Sequence, residues 1–486
     1  MQLPSLLFLL YFLPIAIVVY HALRFSIAAQ NAWLLLASLC FYAWGNPVYA
    51  LLLVLVTVLD YALALLADSV RTRGNKAAAT LLFIATALVN VGPLLGFKYL
   101  PALAASLESA TGWALTLNFP AAPLGLSFIA LKGISYVADI WRQKAAVERN
   151  PVNCALYIAF FPTMFAGPIV RYAEVSVQIR ERRSGWAGIS AGVCRLIVGL
   201  AKVVLIAGQL SSLVDAVFYI SNNSGTFTAV PVATAAIGLL AFVLYLYYCL
   251  SGLSDMVIGL GGIFGFTFGE NFDYPLLATS VTDFWKRCYR SLTAWFEEYV
   301  GQSLSSKKPG RDHHVLSTFI MWLLLGFWIG PGISKLIFGI WSFVFIFFEQ
   351  IIEIENSRIS KGARHVYTAA AMVLGAGAIK TDSIYEFALF IANLFGANNN
   401  GFANAFSLVL LREFWLPLVL GLVFLFPVAP WLGRAFAKKK ISQAMGAVLY
   451  TVGMLALAAV VLVVLVRIGH GADLDGEFLF WSKYYG

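Results

Sequence analysis

The 486 residues are 60% hydrophobic and 12% charged, with a mean hydropathy of +0.82, whereas a soluble globular chain carries about 25% charged residues. Apolar runs long enough to cross a bilayer, about 20 residues each, recur along the chain. They exclude a soluble enzyme or binding module, and a β-barrel would show short alternating segments instead. The net charge of +9 sits in short loops between apolar runs, the positive-inside pattern, so it gives no reason to invoke nucleic acid.

In chain order, spans are predicted near 3–21, 31–45, 48–68, 77–97, 122–140, 188–218, 229–252, 366–396, 405–432 and 443–467. The first run lacks a basic leader and a small-residue cleavage site, so it reads as a span and not a signal peptide. Shorter pieces at 152–170, 254–268 and 314–352 carry Pro and Gly and suit re-entrant or tilted segments, which survive at membrane depth only inside protein or against water. The loops 69–76, 141–150, 171–183, 305–311 and 434–440 are basic, hence cytoplasmic. The loops 221–227 and 396–404 carry no charge and the tail after Arg467 is acidic until Lys483, which places both termini outside after roughly 10 to 12 crossings. The fold class is an all-α polytopic membrane protein, a single transmembrane domain over 1–486. No internal repeat is evident, which argues against an inverted-repeat transporter.

Cys40, Cys154, Cys194, Cys249 and Cys288 form no CxxC pair, so neither a disulfide framework nor a metal site is predicted. Asp60, Lys132, Arg195, Lys202, Asp215, Asp255 and Lys335 lie inside apolar runs. Such groups are costly in hydrocarbon and mark a polar interior, whether as a functional site or as structural pairs and snorkelling chains.

The segment VTDFWKRCYRSLTAWFEEYV (281–300) is rich in rings and charge. Phe284, Cys288, Leu292, Trp295 and Tyr299 recur at helical spacing, which predicts one amphipathic helix at the cytoplasmic interface. Ser280 and Asp283 form a capping-box pattern at its start. The basic residues come early and Glu297 and Glu298 late, opposite to the dipole preference, so these charges are expected to answer to partners outside the helix.

FFPTMFAGPIVRY (160–172), LSGLSDMVIGLGGIFGFTFGENFDYP (250–275), DFWKRCYRSLTAWFEEY (283–299) and LLLGFWIGPG (323–332), with PLGLSFIALKGISYVADIWR (123–142) before them, resemble the membrane-bound O-acyltransferase (MBOAT) family. The likeness is to its bacterial alginate O-acetylation and teichoic-acid D-alanylation branch, over about 120–345. It implies a funnel-like helical fold, with re-entrant and amphipathic helices, whose central cavity joins a cytoplasmic acyl donor (acyl-CoA or an acyl-carrier protein) to an extracytoplasmic acceptor. It implies no bound cofactor, a bacterial inner-membrane location, and partners on both faces: a polysaccharide-modifying or assembly protein outside, an acyl-carrier or synthase protein inside. Its chemistry uses histidine, because imidazole can take a proton from a hydroxyl near neutral pH.

The chain departs from the family at those positions. Tyr289 and Ile329 stand where the family has its histidines, and Ser342 lies near a further one. Cys288 replaces a tryptophan, Cys249 an acid, and Glu297–Glu298 an Arg–Asp pair. The tail Phe478–Leu479–Phe480 lacks the relay tyrosine of some relatives, with Tyr484 and Tyr485 further on. The histidines present are His21, His313, His314, His365 and His470; His313 and His314 are weak substitutes, since Ile329 is about 22 Å further along a helix. Ser251, Ser254, Asp255, Asn271, Trp285, Arg287 and Trp328 match the family pattern and, with Lys132, are the candidates to line or brace the cavity. Two readings follow: an O-acyltransferase of cell-surface polysaccharide with shifted catalytic groups, or an MBOAT-fold pseudoenzyme serving as scaffold, ligand-binding component or conduit in exopolysaccharide assembly.

Overall fold

Cap chemistry sets the first helix boundaries. α1 (Leu13–Ala22) leads to α2 (Ile27–Ala43), where Ser26 accepts a bond from the Ala29 N–H. Asn46 caps α3 (Pro47–Arg73), with Pro47 in the first turn, where its missing N–H costs nothing. Asn75 caps α4 (Lys76–Leu94). Pro93 sits inside α4, and the winding loosens to a π stretch at Leu95–Tyr99 before α5 (Leu100–Thr111). A prolyl ring removes one hydrogen bond and crowds the preceding turn, and a single π turn absorbs such a mismatch.

The computed structural model describes residues 3–112, 120–182, 185–223, 230–305, 311–354, 358–381, 383–397, 399–428, 431 and 443–471. Regular structure among them is helical throughout. α6 (Leu126–Trp141), α7 (Pro151–Ala159), α8 (Tyr172–Glu181) and α9 (Trp186–Ala201) follow. After a π stretch at Lys202–Ala207 come α10 (Gly208–Asn223), α11 (Val232–Ile263), α12 (Val281–Arg287), α13 (Arg290–Phe296) and α14 (Gln302–Ser305). The chain then forms α15 (Arg311–Ile329), α16 (Ile333–Ile352), α17 (Lys361–Lys380), α18 (Ile384–Leu394), α19 (Ala405–Val423) and α20 (Gln443–Gly471).

Seven described helical runs are long and apolar enough to cross a membrane: Pro47–Arg73, Lys76–Glu108, Trp186–Phe218, Val232–Ile263, Ile333–Ile352, Ala405–Val423 and Met445–Arg467. Together they make this a multi-pass membrane protein.

The chain divides into two compact units. The first holds the residues up to Leu196 together with Val257–Gly269. Within it α3, α4 and α6 pack on one another and α2 packs on α7, beside a cluster of Phe8, Phe12, Phe41 and Phe161 rings. The second holds Ile197–Met256 and the chain from Glu270 to Phe478. Its tightest packing is the α15–α16 hairpin, with α17 against α16 and α12 touching both α16 and α17.

Four expectations change. The piece 314–352 is two helices, α15 and α16, and the second is long and apolar enough to cross a membrane. The piece 254–268 is not re-entrant: its first part continues α11 to Ile263. Its glycines belong to a helix crossing, since a Cβ on Gly259 would lie 2.6 Å from the Gly192 carbonyl oxygen and one on Gly192 equally close to that of Gly259. Small residues serve such close approach in membrane helices. The stretch 366–396 is two helices, α17 and α18, because Ser383 starts a new one by accepting from the Glu386 N–H. The segment 281–300 is also broken, as described next.

Candidate functional site

α11 presents Ser251, Ser254 and Asp255 within little more than one turn. Ser251 and Ser254 are buried. Asp255 Oδ2 accepts from Lys202 Nζ at 2.6 Å, so two of the charges found inside apolar runs pair with each other. Lys202 opens the π stretch after α9, an irregularity that recurs at functional sites.

Asn271, 1% exposed, joins three segments. Its Nδ2–H donates to Ser254 Oγ at 3.1 Å, and its Oδ1 accepts from the Ser291 N–H at 3.0 Å and from Ser291 Oγ at 2.9 Å. Its own carbonyl accepts from the Arg290 N–H at 3.0 Å, while the Asp273 N–H donates to the Arg287 carbonyl at 2.9 Å. These bonds hold the chain between α12 and α13.

That chain does not continue as a helix. Cys288 is extended and Tyr289 is left-handed, φ +50° and ψ +51°, a conformation that costs a non-glycine residue about 1–2 kcal/mol. Tyr274, just after the 271–273 stretch, is left-handed as well. Strain of this kind persists only where surrounding bonds over-determine it, and the Asn271 bonds do so. The Tyr289 ring is buried and stacks on Phe272, centroids 5.7 Å apart and planes within 18°. The break shifts the inward face: Trp285 and Tyr289 are buried, whereas Phe284 and Cys288 are only partly so. Cys288 keeps some exposed surface, yet the protein packed around its sulfur pushes the thiol up to about 12.

Ser280 caps α12 as expected, accepting from the Asp283 N–H at 2.9 Å; Asp283 Oδ2 in turn accepts from the Thr279 N–H, not from that of Ser280. Arg287 pairs with Asp283 at 2.8 Å one turn back, so this charge is answered inside its own helix. The remaining N-terminal donors of α12 go to a residue that the sequence did not single out. Glu349 of α16, buried, accepts from the Val281 N–H, the Thr282 N–H and Thr282 Oγ1. Its one sequence signal was an acid at the end of the apolar run 333–352.

Ile329 is the last residue of α15 and 5% exposed, next to buried Trp328. Trp285 packs against Trp322 (4.9 Å) and Phe338 (5.8 Å), and its indole N–H finds no acceptor among the described residues. Ser342 is buried and bonds within its own helix to the Phe338 carbonyl. His314 is exposed in the first turns of α15, and that helix runs unbroken to Ile329. The side chain of His313, the tail motif at 478–485 and most of the loops 305–311 and 434–440 lie outside the described residues. His365 Nδ1 is 2.9 Å from the Ala278 carbonyl oxygen.

Lys132 belongs to the first unit. It is 1% exposed, and its ammonium bonds Thr163 Oγ1 (2.7 Å) and the Tyr157 (3.3 Å) and Ile158 (3.5 Å) carbonyls. Those carbonyls end α7, so the ammonium caps a helix C-terminus, where a cation is favoured. It borders a cavity of about 20 Å³ lined by Tyr157, Phe160, Thr163 and Phe266, room for one water. No group of three or more His, Cys, Asp or Glu side chains among the described residues could hold a metal ion.

The structure therefore brings Ser254, Asn271 and Tyr289 into one bonded frame in the second unit. It places Trp285 in an aromatic cluster with Trp322 and Phe338, and makes Lys132 a brace in the first unit.

The model of the membrane-bound O-acyltransferase family matches residues 17–354. The probable alginate O-acetylase AlgI of Pseudomonas aeruginosa is 32% identical over 378 residues, 76% of this chain and 70% of that protein. The peptidoglycan O-acetyltransferase of Helicobacter pylori is 28% identical over 366 residues, covering 69% and 67%. The teichoic acid D-alanyltransferase of Bacillus subtilis is 25% identical over 245 residues, covering 47% and 60%. This chain belongs to the membrane-bound O-acyltransferase family.

Proposed function

We propose that the protein is an O-acyltransferase of cell-surface polysaccharide, set in the bacterial cytoplasmic membrane with both termini outside. The relatives named for O-acetylation support the substrate class. The observation that carries the reading is the intact frame around Asn271, with the Asp255–Lys202 pair on the same helix as Ser254. A left-handed tyrosine held by distant bonds is strain of the kind that clusters at active sites.

The donor is a thioester, acyl-CoA or acyl-carrier protein, and the acceptor a sugar hydroxyl. The hydroxyl oxygen forms the new bond to the acyl carbon, the C–S bond breaks, and the hydroxyl proton ends on the released thiol. Tyr289 cannot take that proton at neutral pH, since a phenol ordinarily titrates near 10, but its hydroxyl can donate a hydrogen bond to the acyl oxygen. Asp255 is the charged group of the retained motif, and the reading assigns it the acceptor hydroxyl. A polysaccharide-assembly protein outside and an acyl-carrier or synthase protein inside complete the path.

One observation favours a second reading, a catalytically inactive member serving as scaffold or conduit. Both positions that carry imidazole in the family are buried and hold Tyr289 and Ile329, neither of them a base. Acyl transfer by purified protein in nanodiscs separates the two. Turnover that falls at least tenfold in Tyr289→Phe and in Asp255→Asn supports the transferase. No turnover in the wild type, with turnover appearing when both Tyr289→His and Ile329→His are introduced, supports the inactive scaffold.

A further inference from the structure

α3, α4 and α6 of the first unit bury a polar seam that the acyl-transfer reading does not use. Asp60 is fully buried, with Asn90 and Thr86 close behind. The Asn90 Nδ2–H group donates to Asp60 Oδ1 at 2.7 Å and to the Thr86 carbonyl at 3.1 Å, which settles which end of the carboxamide is nitrogen. The second oxygen of each group, Asp60 Oδ2 and Asn90 Oδ1, is buried and has no donor among the described residues. Each lies 2.2 Å from one point, the place a Cβ on Gly133 would occupy. The two oxygens therefore lie within 4.4 Å of each other, beside the backbone of α6.

If Asp60 were ionised, two acceptor oxygens would crowd together, and a fully buried carboxylate would rest on one hydrogen bond among the described residues. Both are strongly unfavourable. One proton on Asp60 Oδ2 resolves them, because the O–H then donates to Asn90 Oδ1 and closes a cyclic acid–amide pair with the bond already present. The titratable neighbour from α7 is Cys154, which bonds with Tyr136 of α6; neither supplies a positive charge. Asp60 forms no ion pair among the described residues. The buried hydroxyls of Thr57 and Ser127 do not bond to it either.

We propose that Asp60 is a proton-binding site, held as the neutral acid, and that its reciprocal bonds with Asn90 join α3 to α4 over Gly133. The proposal is independent of the acyl-transfer reading.

Infrared difference spectra of the full chain in nanodiscs, wild type minus Asp60→Asn, test it at pH 7. The expected result is the carbonyl stretch of an un-ionised carboxyl, lost in Asp60→Asn. Asn90→Ala keeps the acid but removes its partner, and shifts that band to higher frequency. Asp60→Asn offers an N–H where the O–H stood, so it retains a folded protein. A carboxylate signal in place of the acid band overturns the proposal, as does an acid band that Asn90→Ala leaves unmoved. If Asp60→Asn does not fold, wild type and Asn90→Ala carrying isotope-labelled aspartate give the same readout.

Discussion

Asn271 shows how one side chain decides a local backbone. Its carboxamide is the meeting point of α11, the 271–273 segment and α13. Asn271→Ala removes three hydrogen bonds and leaves the part-buried Ser291 donors without their acceptor, which costs about 1–3 kcal/mol. The expected outcome is a lower thermal midpoint in nanodiscs and loss of the Tyr289 ring's fixed fluorescence anisotropy. Glu148, in the loop before α7, carries a pH dependence. Burial alone would raise its carboxyl, but bonds from the Asn150 N–H, Arg180 and Tyr172 outweigh burial and hold it below the ordinary 4.5. A depressed carboxyl contributes stability that is present above its unfolded value and lost as pH falls through its folded value. Thermal midpoints measured from pH 7 downward should therefore drop below about pH 4.5 in wild type, and Glu148→Gln should flatten that acid limb. Neither residue's partners could be read from sequence, though Asn271 was marked by its match to the family pattern.

At the scale of elements, α12 depends on a carboxylate from another helix. Glu349 serves the first N–H groups of α12, the donors that a helix start leaves without partners. Glu349→Ala strands them in a buried site and should cost about 1–3 kcal/mol. Glu349→Gln keeps one acceptor oxygen and should cost less, so the two variants rank Ala below Gln in urea or thermal unfolding; equal losses would show that packing alone matters. The same element explains why the amphipathic periodicity of 281–300 misled. Spacing places Phe284 and Cys288 on the inner face, but the turn at Cys288–Tyr289 resets the register to Trp285 and Tyr289. Periodicity assumes one helix, and a break held by distant bonds lies beyond its reach.

For the whole molecule, hydropathy marks most of the membrane-crossing helices, and loop charge predicts an orientation with the basic loops inside. Single cysteines placed in the 69–76 loop and the 396–404 loop of a chain without its native cysteines test it in intact cells. A membrane-impermeant maleimide should label the second and spare the first; the reverse pattern would invert the topology. The charged groups inside the spans were visible as exceptions in the sequence. That Lys202 pairs with Asp255 while Lys132 caps α7 was not, because partners on separate helices share no local pattern.

The membrane class, the ten apolar stretches, the family motifs and the absence of imidazole at positions 289 and 329 are all legible in the amino-acid order alone. These are properties of composition and short-range order, which hydrocarbon and backbone geometry read locally. The tertiary structure decided that 254–263 continues a helix, that the chain turns at Tyr289, and that Glu349 caps α12. The last two depend on contacts between residues far apart in the chain, 17 positions for Ser254–Asn271 and 68 for Val281–Glu349, and only packing brings such groups together.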